Sequence, residues 1–135
     1  MLKNFLSFTL LLLLQTNPVV LAAQQNGENV WLSENELFQV SYASQLNPIV
    51  INQIHSWKLQ VMTAEGKAVS DAVISVKGGM PEHNHGLATA PSIEATGNGN
   101  YLLQGLRFHM MGYWELELSI TQGSISDTVI VTLDL

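Results

Sequence analysis

The sequence predicts an all-β domain, an immunoglobulin-like β-sandwich of about seven strands behind an N-terminal signal peptide. Three observations carry that expectation. Apolar and polar residues alternate with a period of two through most of the chain. Turn signals such as Gly97-Asn98-Gly99 and Gln122-Gly123 separate the alternating stretches. Little beyond the first segment has the 3.6-residue periodicity of a helix. With 135 residues, 47% of them apolar, and no cysteine, the chain fits one small domain that must stand on its core without disulfides.

The first segment is a targeting signal by its chemistry. Met1-Leu2-Lys3-Asn4 supplies a positive start, residues 5–14 form a compact apolar run, and Asn17-Pro18 breaks it before Val20-Leu21-Ala22. Small residues there place cleavage after Ala22 or Ala23, so residues 1–23 read as the signal peptide. The run is shorter than the roughly 20 apolar residues that span a bilayer. The expected product is therefore periplasmic, with no stable membrane span after cleavage; a retained membrane anchor is the rival reading. Residues 24–35, Trp31 among them, read as a flexible leader, and residues 36–135 as the sandwich.

The strands follow in order. Residues 36–44 alternate as an edge strand with Phe38, Val40 and Tyr42 on one face. After Asn47-Pro48, a half-buried strand places His55, Trp57, Leu59 and Val61 on one face. The Ala64-Glu65-Gly66-Lys67 turn leads to a strand with Ala72, Ile74 and Val76 on one side, expected to pair with the His55 strand. Gly78-Gly79 is expected to open a long functional loop reaching Pro91. A short strand at residues 92–96, a Gly97-Asn98-Gly99 turn and a strand at residues 100–106 come next. The clearest alternation sets Trp114, Leu116, Leu118 and Ile120 opposite Tyr113, Glu115, Glu117 and Ser119, before a last strand from Ile125 to Leu135.

Charge narrows the function. There are five basic residues against eleven acidic ones, and the five are scattered, so no patch neutralises a run of phosphates and nucleic-acid binding is excluded. Without Lys3 the charge of the cleaved chain is −7, dispersed in a way that serves solubility. No thiol nucleophile, nucleophile-elbow serine, paired carboxylates or phosphate-cradling loop stands out, so the expected protein is not an enzyme.

The residues with chemistry to offer fall in two clusters, Met80-Pro81-Glu82-His83-Asn84-His85 and His109-Met110-Met111. Imidazole nitrogen suits copper and zinc, whereas thioether sulfur selects Cu(I), so a mixed shell points to copper, as Cu(I) or Cu(II), before zinc. In an extended backbone His83 and His85 project to one side, and Met80 can fold back toward them across Pro81. His55 lies on the inward face of its strand, as a further ligand or as a hydrogen-bonded histidine of the core edge. Met110 shares the parity of Phe108 and can equally be packing, and His109 an exposed strand residue. A His-x-His pair taken alone is ordinary solvated loop. The rival to a copper protein or copper chaperone, passing metal to a copper-receiving or other envelope partner, is a metal-free interaction or assembly module.

The run Gly78-Gly79-Met80-Pro81-Glu82-His83-Asn84-His85-Gly86-Leu87 is followed by Thr89-x-Pro91, Gly99-x-Tyr101 and Phe108-x-Met110-x-Gly112-x-Trp114-Glu115-Leu116. Together with Asn52-x-x-His55-x-Trp57 and Gly66-x-x-Val69 upstream, it resembles the YtkA-like domain of exported bacterial proteins, related to the FixH group. The resemblance covers about residues 48–135. It implies an immunoglobulin-like sandwich at the cell envelope with a connection to copper handling. It matches Met80, His83, His85 and Met110, and His55 upstream, while His109 and Met111 occupy variable positions of the pattern. The short apolar run of residues 5–14 departs from the membrane helix of FixH-type proteins.

Overall fold

The computed structural model describes residues 29–135; the expected signal peptide lies outside them. Among the described residues nine strands form two antiparallel sheets, so the sandwich expected from the alternation is what the chain builds. One sheet runs β1 (Val30–Leu32), β2 (Phe38–Ser44), β3 (His55–Thr63), β7 (Asn100–Leu106) and β6 (Ser92–Gly97). The other runs β5 (His85–Gly86), β4 (Val73–Met80), β8 (Tyr113–Gln122) and β9 (Ile125–Asp134). Inward residues of both sheets meet in one core, with Trp57, Leu59 and Val61 of β3 on one side and Trp114, Leu116, Leu118 and Ile120 of β8 on the other. Strand parity in β2, β3, β7 and β8 follows the period of two seen in the sequence.

Four expectations change. The leader is partly strand: β1 pairs with β2, and Trp31 packs against the core. The cause is an anchor just beyond it. Ser33 bridges Val129, Glu34 N–H donates to Thr128 O at 2.9 Å, and Asn35 donates to the Asp127 carboxylate from its backbone and its side chain. Asp127 is 6% exposed. Burial alone would raise its carboxyl, but hydrogen bonds from the Ser33 hydroxyl, Thr128 N–H and Asn35 outweigh that and hold it down at about 2. Consequently β2 is an inner strand, not an edge.

The strand at Val73–Met80 does not pair with β3. The chain begins such a hairpin, with Thr63 N–H to Lys67 O and a Met62–Ala68 bridge. Both edges of β3 are already taken, by β2 and β7. The chain therefore crosses to the second sheet, where β4 pairs with β8. Tyr101 fixes the crossover by donating its hydroxyl to Val69 O at 2.8 Å and accepting from Ala72 N–H at 3.0 Å.

The expected long loop is mostly a hairpin. β4 continues through Gly78-Gly79 to Met80, residues 81–84 turn, and β5 returns beside it. The two glycines are there for close approach. A Cβ on Gly78 would lie 2.5 Å from Leu116 Cδ2, and one on Gly79 would lie 2.6 Å from the His85 carbonyl oxygen.

Candidate metal centre

The topology gathers the chemistry-bearing residues at one end of the sandwich. β2 ends and β3 begins there, as do the ends of β4, β7 and β9 and the start of β8. The segments that close this end are residues 45–54, 81–84 and 107–112, so all four histidines of the sequence sit on it or beside it.

The turn at residues 81–84 is closed by His83 N–H to Met80 O at 3.1 Å, with Asn84 at φ 53°. It leaves His83 and His85 exposed, ring centres 6.3 Å apart. The 107–112 segment is tied down by Trp114 Nε1–H to Met110 O at 3.0 Å and by a reciprocal backbone pair between Gly112 and Leu135. His109 is thereby set edge-on to Trp114 at 5.3 Å and edge-on to His85 at 5.8 Å. Three imidazoles from two segments far apart in sequence form a row, His83, His85, His109. Two rings sharing one metal through nitrogen bonds of about 2.0 Å stand roughly 5–6 Å apart, so both spacings are near that of a chelating pair. Among the described residues no three His, Cys, Asp or Glu side chains enclose a common metal position; the approach is pairwise. The Nδ1 of His109 is buried without a hydrogen-bond partner among the described residues.

The other expected ligands divide. Met80 ends β4 inside the core, 1% exposed, its Cε 3.0 Å from where a Gly112 Cβ would stand. Met110 is half-buried against the core, and Met111 is 64% exposed. His55 is buried behind Phe108, ring centres 5.7 Å apart, and has no ring contact with the other three histidines. Its Nδ1 lies 3.0 Å from Gln53 O, which can only accept, so Nδ1 is the donor there, and Nε2 is buried without a partner among the described residues.

Carboxylates border the row. Tyr113 O–H donates to Glu115 at 3.1 Å, and desolvation, then Glu115 and Glu82, raises the phenol above its usual range. A groove of about 310 Å³ beside His85 is lined by Gly79, Met80, Pro81 and Glu115 among others. The arrangement offers imidazole nitrogen beside carboxylates, with the half-buried Met110 next to His109 in the chain, a setting that suits a soft or borderline cation. The family pattern puts His109 at a variable position and so below Met110, and nothing local in the sequence shows that Trp114 will steer it to His85.

A family model described as YtkA-like matches residues 38–119, more than half of the chain. No curated protein and no solved structure matches it.

Proposed function

Because the chain belongs to the YtkA-like family, we propose that it is an exported copper-binding protein of the periplasm, or a copper chaperone, using a His and Met site. The observation that carries this reading is the row of imidazoles His83, His85 and His109 with spacings of 6.3 and 5.8 Å. Copper as Cu(I) or Cu(II) is held by His85 with one or both flanking rings. The half-buried Met110 is the nearest thioether in sequence to His109, with Met80 and Met111 as further sulfur and His55 as an inner, positioning histidine. A bound copper supplies an exchangeable soft Lewis acid for transfer to an envelope partner, while the chain's own work is to hold the rings and exclude competing hard ions.

Equilibrium dialysis of the cleaved protein tests this. Copper is retained at micromolar free metal and zinc more weakly, and His83→Ala with His85→Ala abolishes retention. Undiminished retention by that double variant overturns the assignment. Intact mass after fractionation tests export: a chain beginning at Ala23 or Gln24 supports it, and a full-length chain found only with membranes refutes it.

Two observations favour a metal-free interaction module instead. Met80 is spent on core packing, and a groove of about 710 Å³ lined by Trp31, Tyr42, Leu46 and Met111 opens at the same end. That reading predicts a protein partner with no metal dependence.

A further inference from the structure

We infer that the aromatic rings joining the histidine end to the Trp31 groove form a one-electron relay, carrying oxidising equivalents away from the imidazoles to Tyr42 and Trp31. All the ring contacts found among the described residues belong to one connected network. From His109 it passes to Trp114 at 5.3 Å, then across Phe108 at 5.2 and 6.2 Å to Trp57. Trp57 lies face to face with Tyr42, centres 3.8 Å apart and planes within 9°, and Tyr42 stacks on Trp31 at 5.3 Å. The redox-active rings therefore run from the candidate metal centre to a surface groove, with Phe108 the one inert spacer.

The hydrogen bonding suits this use. Trp57 is 1% exposed and its Nε1–H is buried with no acceptor among the described residues, a costly arrangement for packing alone. Trp114 Nε1–H faces only the Met110 carbonyl, which is a weak base. An indole that loses an electron in either place keeps its proton, so the radical cation stays a strong oxidant and passes the hole on. Trp31 and Tyr42 line the groove, where water can accept a proton.

When bound, copper would supply the oxidant at the imidazoles with hydrogen peroxide as its source: Cu(I) would give one electron as the O–O bond breaks to hydroxide and hydroxyl radical, and that radical would become a second hydroxide by taking one electron that the buried Trp114 supplies across His109. Trp57, Tyr42 and Trp31 refill the hole in turn, and a dissolved thiol or ascorbate-type reductant supplies the final electron. This physiological source of oxidant rests on the copper reading; the relay itself does not.

The test uses the copper-free chain carrying a ruthenium polypyridyl complex on exposed His83 or His85, flash-excited and quenched with ruthenium hexaammine. The oxidised label recovers its electron with the appearance of a tryptophan radical, and peptide mass spectrometry finds oxidation concentrated at Trp31 and Tyr42. Trp31→Phe and Tyr42→Phe, which keep the stacking, prolong the inner radical several-fold and move the oxidation marks to Trp57 and Trp114. Recovery kinetics unchanged in Trp114→Phe, or an inner radical indifferent to both outer substitutions, overturns the relay. Neither result depends on whether copper binds, so loss of one proposal leaves the other to its own experiment.

Discussion

The two ends of the sandwich are built on opposite principles. At the far end, where β1 turns into β2 and β3 crosses to β4, polar atoms are paired with unusual thoroughness. Asp127 gathers donors from Ser33, Asn35, Leu37 and Thr128, Tyr101 clamps the crossover, Ser70 Oγ accepts from Gly99 N–H, and Gln122 donates to Asp71. At the histidine end lie the buried side-chain atoms left without partners among the described residues, His55 Nε2, Trp57 Nε1, Arg107 Nε and His109 Nδ1. The charged residues are unevenly placed too: none occurs from Leu37 to Trp57 or from Phe108 to Trp114. One end holds the fold closed; the other spends stability on unpaired nitrogen that can serve chemistry.

The sharpest way to break the contrast is at Trp114, which belongs to both ends' interests: it is fully buried and it also steers His109. Trp114→Ala should cost about 3–5 kcal/mol, read as a fall in the denaturation midpoint, and an unchanged midpoint would refute its core role. Next in size is Asp127. Its carboxyl is held at about 2 against an ordinary 3.8, so its stabilisation is fully present above the ordinary value and is lost as pH falls through the folded one. Asp127→Asn should remove roughly 1–2 kcal/mol at neutral pH and flatten the stability profile between about pH 4 and 2. Denaturation curves across that range check both. The smallest effect belongs to His109→Phe, which keeps a ring edge on Trp114 while deleting the orphaned nitrogen. Stability should change by less than about 1 kcal/mol, in either direction, while copper retention falls. A loss as large as that of Trp114→Ala would mean the histidine end is structural after all.

Much of this division was legible along the chain. The alternation at Trp114, Leu116, Leu118 and Ile120 fixes which face is buried, because each residue's side is set by strand geometry alone. Pairing is another matter. Ala72, Ile74 and Val76 alternate equally well for either sheet, and only the occupied edges of β3 decide against the nearer one. Gly78-Gly79 reads as a loop because glycine marks loops and close approaches alike. Trp31 reads as leader because the anchor that orders the segment, Asp127, lies 92 residues from Asn35 in sequence. The two candidate clusters were visible as residue types, but their meeting at His85 and His109 depends on a turn and a crossover that no local pattern encodes.

The Gly78-Gly79 pair carries a consequence for inheritance. Every missense change at either codon adds at least a Cβ, and each added carbon would stand within 3 Å of Leu116, Leu87 or the His85 carbonyl. A saturation-mutagenesis map should therefore show Gly79, whose Cβ would meet backbone, as intolerant as the tryptophans, and Gly78, whose Cβ would meet leucine side chains, as less so, although neither contributes a side chain. The placing of His85 is secured by an absence: at Gly79 no side chain fits beside the His85 carbonyl.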